Sequence, residues 1–141
     1  MNKTVSPNPK ILPTNWHHLN AEDKVLGRIA TEASKILIGK HRADFTPNQY
    51  LGDKVVIVNA SKIYVSGNKL TDKVYYRHSS YPGGLKSETL GRLMERRPTE
   101  ALRKAIKGML PKNKLQKVRM ANLYIYEGEE HPHAANIKDE S

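Results

Sequence analysis

Three observations predict an α/β fold with a mainly parallel sheet. Val55-Val56-Ile57-Val58 is an unbroken run of β-branched residues, the pattern of a strand buried on both faces. Val25–Leu37 and Pro98–Leu110 each repeat apolar residues at three- and four-residue spacing, which marks amphipathic helices. Strands and helices then alternate along the chain, as parallel pairing with crossover helices requires.

Each element has a local reason. Trp16–Asn20 reads as a short first strand, with Trp16 anchoring the chain entry. From Val25, the residues Leu26, Ile29, Ala30, Ala33, Ile36 and Leu37 make the first helix stripe, and Gly39 ends it because glycine tolerates a left-handed cap. Pro47 prevents the helix from resuming. Ile63–Val65 reads as a shorter strand before the turn Ser66-Gly67-Asn68-Lys69, and Val74-Tyr75-Tyr76 as another. Tyr81-Pro82-Gly83-Gly84 cannot be regular structure. Ser87 is placed to cap a helix through Arg96. Pro98 suits the first turn of the next helix, whose stripe is Leu102, Ala105, Ile106, Met109 and Leu110, and Pro111 stops it. Leu123–Tyr126 reads as the last strand.

The chain has 141 residues, one domain's worth, and 38% hydrophobic residues, enough for one lean core. It divides into a flexible extension at 1–13, a single α/β unit at 14–136 and an acidic tail at 137–141. No apolar run approaches the length of about 18 residues needed to span a bilayer. There is no cysteine, so disulfides and thiolate metal sites are excluded.

The charge is the stronger signal. With 24 basic and 14 acidic residues the formal net charge is +10, and self-repulsion of that size gives a fold nothing unless it meets a polyanion. Residues 35–85 carry +5, residues 86–119 carry +8, and residues 120–141 carry −4. Few acids interrupt Arg96, Arg97, Arg103, Lys104, Lys107, Lys112, Lys114, Lys117 and Arg119, so they read as a polyanion-binding face rather than salt-bridged helix surface. Lys40-His41-Arg42 adds a second group of donors after the first helix. Lys69, Lys73, Arg77, His78 and Lys86 flank a tyrosine-rich strand. Tyr75, Tyr76 and Tyr81 suit stacking on unpaired bases, and each is equally open to a core position.

Catalytic patterns are absent. Gly83-Gly84 lacks the context of a nucleotide-binding loop, leaving a turn that needs glycine or a close approach to a phosphate backbone. Glu130-His131-Pro132-His133, with Glu129, lacks further ligands at metal-site spacing and reads as a surface loop. No nucleophile elbow or H-E-x-x-H occurs. An enzyme using the His78–Gly84 region would need an acid–base pair that the spacing does not offer. A membrane-surface protein would need aromatic anchors on the 98–110 helix, which has none. No metal, cofactor or small-molecule substrate is expected.

Leu26-Gly27-Arg28-Ile29-Ala30-Thr31, Gly39-Lys40-His41-Arg42, Phe45-Thr46-Pro47, Gly52-Asp53, Asn59-Ala60 and Thr71–His78 together resemble the bacterial-type family of large-ribosomal-subunit protein thirteen. The most specific matches are Lys107-Gly108-Met109-Leu110-Pro111-Lys112, Leu123–Gly128 and His131-Pro132-His133-Ala134-Ala135. Where Gln116 stands, family members often carry glycine. The resemblance implies a three-layer α/β/α fold with a four-stranded, mainly parallel sheet. It also implies a non-catalytic constituent of the large subunit, in the cytoplasm or an organelle, that binds large-subunit ribosomal RNA early in assembly beside neighbouring ribosomal proteins. By position it implies RNA contacts at Lys40, His41, Arg42, Lys69, Lys73, Arg77, His78, Lys86, Arg96, Arg97, Lys107 and Lys112, with Gly83 and Gly84 as the close-approach loop.

Overall fold

The β-branched run lies at the centre of a sheet. In a computed structural model, β2 (Lys54–Val58) pairs in parallel with β1 (Trp16–Asn20) on one side and β5 (Leu123–Ile125) on the other. The structure describes residues 14–43 and 53–137, together with Asn8. The remainder of the 1–13 extension, Phe45-Thr46-Pro47, Gly52 and residues 138–141 lie outside the described residues. Val55 through Val58 are all fully buried, as an unbroken apolar strand requires.

The two sheet faces are covered by different chemistry. Val55 and Ile57 share a cluster with Leu19, Leu123 and Ile125, and α1 (Leu26–Ile38) adds Ile29, Ala33 and Leu37 to it. Gly39 closes α1 at φ 92°, its N–H donating to the Lys35 carbonyl, the cap expected of glycine. The strand register puts Val56 on the opposite face with His18 and Tyr124, and Trp16 two residues along. Rings cover this side. Trp16 stacks on Tyr124 at 5.6 Å, His133 lies 4.5 Å from Tyr124, and His131 lies 5.4 Å from His18.

After a 3₁₀ turn at Ala60–Lys62 come α2 (Lys69–Asp72), β3 (Val74–His78), β4 (Leu85–Thr89), α3 (Leu90–Arg96), α4 (Pro98–Met109) and α5 (Leu115–Ala121). In α4, Ala101, Leu102 and Ile106 are buried in the cluster that holds α1. Leu110, just beyond it, is buried too, whereas Met109 is exposed and accepts a long hydrogen bond from the Thr31 hydroxyl.

Several expectations are corrected. Among the described residues the parallel sheet has three strands, not four, and a separate antiparallel pair is formed by β3 and β4. Ile63–Val65 contributes only a single bridge, Val25 to Tyr64. Ser87 does not cap a helix, because it lies opposite Tyr76 in the β3–β4 ladder. The cap is Thr89, whose hydroxyl accepts from the Arg92 N–H at 3.3 Å. Replacing it, Thr89→Ala, is expected to destabilise the protein by about 1 kcal/mol, read as a lower urea midpoint with an unchanged slope. Helix α5 was not foreseen, since Gln116, Lys117 and Arg119 break any apolar stripe. It is held partly by the Gln116 side-chain amide, which donates to the Lys107 carbonyl at 3.0 Å.

Candidate nucleic-acid interface

The β3–β4 hairpin aligns cations across its strands. Arg77 pairs with Lys86, Tyr76 with Ser87 and Tyr75 with Glu88. Tyr76 and the loop residue Tyr81 are 68% and 75% exposed, so their rings are available for stacking. Tyr75 is different. It packs against the core with the Lys104 ammonium 4.7 Å from its ring centre and that of Lys73 at 5.6 Å. Burial pushes its phenol above the ordinary tyrosine value. It anchors the hairpin to α4 and holds two lysines beside it.

Between hairpin and helices opens a cavity of about 700 Å³, with Arg77, Lys86, Arg92, Arg97 and Lys104 in its walls. Its acidic residues are Glu88 and Glu100. Glu88 is already engaged: Arg96 grips it at 3.0 Å through Nε and 2.7 Å through Nη2. The hydrogen bond holds the Glu88 carboxyl below its usual value and raises that of Arg96. Arg96 therefore ties α3 to β4 rather than standing free as the charge pattern suggested. Lys104 also borders a second cavity of about 540 Å³, together with Lys107, Lys112 and Gln116. The two cavities form one basic tract along α4. Arg92 was not singled out in the sequence, although it falls inside the +8 block.

Other expected residues are placed as follows. Lys69 and Lys73 are exposed at the two ends of α2, Lys114 is exposed before α5, and Arg103 is half-buried. Arg119, counted in the basic run, is only 1% exposed and belongs to the interior. Gly83 adopts φ 73°. At Gly84, a Cβ would collide with the Ser79 side chain and crowd the Tyr81 carbonyl. The turn closes on itself through Ser79 N–H to the Gly84 carbonyl and Gly84 N–H to that of Tyr81, so its own geometry accounts for both glycines. The His78 Nδ1 accepts from the Ser80 N–H at 3.0 Å, an internal role rather than half of an acid–base pair.

Lys40, His41 and Arg42 border neither cavity. Lys40 is exposed, but the other two turn to Asp53, which is 1% exposed. His41 Nε2 and His17 Nε2 each lie 2.8 Å from Asp53 Oδ2. Arg42 Nη1 lies 3.2 Å and the Asn15 amide 3.1 Å from Oδ1. Burial drives the Asp53 carboxyl up, yet hydrogen bonds from His17, Asn15 and His41 outweigh it and leave the group below its usual value. Nothing local in the sequence pairs His17 with Asp53, because they are 36 residues apart. His131 and His133 belong to the ring stack over the sheet, where Tyr126 Oη and His133 Nε2 share a 2.7 Å hydrogen bond.

Six cations around two acids, with Arg96 and Glu88 neutralising each other, suit a polyanion with spaced charges, and the exposed tyrosines suit bases. No helix among the described residues is long and apolar enough to cross a membrane. The profile of the family described as ribosomal protein L13 matches residues 14–132. Relatives include large ribosomal subunit protein uL13 of Symbiobacterium thermophilum, 53% identical over 96% of this chain and 94% of that protein. The same-named protein of Borrelia turicatae is 54% identical over 92% of this chain and 87% of its own length. That of Streptomyces coelicolor is 49% identical over 94% and 90%. The family is one of structural, non-enzymatic ribosomal proteins. By a match spanning most of its length and by relatives near half identity, the chain belongs to the ribosomal protein L13 family.

Proposed function

We propose that this protein is a constituent of the large ribosomal subunit that binds large-subunit ribosomal RNA and supports early subunit assembly in the cytoplasm. The observation that carries this reading is the continuous basic tract, in which Lys104 joins the hairpin cavity to the one beside Lys107 and Lys112. The names of its relatives give the subunit.

The mechanism is electrostatic and geometric. Lysines and arginines neutralise phosphates and release counterions, so affinity falls steeply with salt. The unit at 14–136 holds these groups at fixed spacing, and recognition is of folded RNA by shape, with Tyr76 and Tyr81 taking unpaired bases. Clamping one RNA arrangement against this surface is what assembly support means physically.

Crosslinking the purified chain to large-subunit RNA, with crosslinked residues mapped, tests this. Crosslinks are expected at Tyr76, Lys86, Arg97, Lys107 and Lys112, and competition by small-subunit RNA should be weak. Crosslinks confined to residues outside the tract, or equal competition, would overturn the assignment.

A further inference from the structure

The cluster around Asp53 divides the work of one carboxylate between its two oxygens. Oδ1 is committed to the protein, accepting from the Asn15 N–H at 3.1 Å and Arg42 Nη1 at 3.2 Å. Oδ2 faces two imidazoles, with Nε2 of His17 and Nε2 of His41 each 2.8 Å away. The two rings meet nearly edge to face, at 83° and 5.4 Å between centres, so they approach Oδ2 from different directions. The three donor atoms all lie within 4.8 Å of one another.

From this geometry we infer that His17, His41 and Asp53 form a binding site for a divalent transition metal, zinc by the chemistry of its donors. Two imidazole nitrogens and one carboxylate oxygen are borderline ligands that suit zinc, whereas calcium and magnesium call for oxygen alone. Bonds of about 2.0–2.2 Å in tetrahedral geometry put ligand atoms roughly 3.3 Å apart. The two 2.8 Å nitrogen–oxygen spacings need open only slightly, and rotation of the imidazoles would bring their nitrogens, within 4.8 Å of one another, to the same separation. The histidine side chains, 32% and 33% exposed, have room to rotate, while Asp53 is buried and fixed. Their exposed edges also give the ion a way in.

The contacts on Oδ1 serve the site as well. A ligating carboxylate is ordinarily oriented by hydrogen bonds on its other oxygen, and Asn15 and Arg42 supply them. The Arg42 charge lies against Oδ1, so it offsets part of the carboxylate charge without occupying the metal-facing oxygen. Three protein ligands leave a fourth position for water or for an RNA phosphate oxygen. A site so placed links β1, the turn after α1 and the start of β2. The metal would join three chain segments that otherwise meet through hydrogen bonds, the Arg42–Asp53 ion pair and the His17–His41 ring contact.

The test is calorimetric titration of the purified full chain, stripped with chelator, with zinc chloride. The expected result is one zinc per chain and a melting temperature raised by the ion, since a ligand of the folded state stabilises it by mass action. His17→Gln keeps an N–H to offer Asp53 but is a poor zinc ligand. It should melt like the parent in chelator and lose at least about tenfold in zinc affinity. His41→Gln, in an exposed turn, should do the same and serves if His17→Gln does not fold. The double variant His131→Gln/His133→Gln removes the other histidine group and should leave the zinc affinity unchanged. No zinc binding by the parent, parental affinity in both single variants, or loss of binding in the double variant instead would each overturn the site.

Discussion

Reversing Lys86, Arg97 and Lys107 to glutamate together is expected to lower affinity for large-subunit ribosomal RNA by about two orders of magnitude or more. All three side chains are exposed and lie along the tract. Each neutralised phosphate adds roughly one unit to the salt dependence of binding, so the slope of affinity against salt should fall by about three units. Reversal adds repulsion to that loss. Filter binding at several salt concentrations reads both quantities, and an unchanged slope would remove these residues from the interface. Arg96 is left out deliberately. Its grip on Glu88 ties α3 to β4, so reversing it would confuse a folding defect with a binding one.

The second large effect concerns stability. Asp53→Ala is expected to destabilise the protein by about 3 kcal/mol, because it leaves Arg42, His17 and the Asn15 amide facing an apolar gap. The folded carboxyl titrates below the usual aspartate value. The folded state therefore favours the ionised form. This stabilisation is fully present above the unfolded value and is lost as pH falls through the folded one. Urea midpoints for parent and variant should differ widely at about pH 7 and converge as pH falls below the usual aspartate range. Equal midpoints at neutral pH would show that the cluster adds nothing.

How far the sequence alone reached differs from element to element. Helix α1 and β2 follow their patterns closely, since a 3.6-residue stripe and a β-branched run describe one continuous segment and the face it buries. Helix α4 follows too, with its proline start. By contrast, Leu85–Thr89 has no strand pattern of its own: beyond the exposed Leu85 it is wholly polar, and it is extended because β3 offers it a ladder. Short α5 rests on a long-range bond from Gln116 and on burial of Arg119. The charge surplus and its location in residues 86–119 were legible, and so was the likeness of the motifs to one ribosomal protein family.

The uses of individual charges were not. Arg96, Arg97 and Arg119 stand in one basic run and are chemically alike, yet one is bound to Glu88, one borders the cavity and one is buried. Lys40, His41 and Arg42 are consecutive, but only Lys40 is left to solvent without turning to Asp53. By itself, then, the sequence determined the α/β alternation, the apolar faces of the main helices, the site of greatest positive charge and the family. Tertiary structure alone decided the three-stranded sheet with its separate hairpin, the ring-covered face, and which cations are spent within the protein. The physical reason is range. Periodicity and charge density are properties of neighbouring residues, whereas an ion pair or a strand ladder depends on which distant segment the fold brings within about 3 Å.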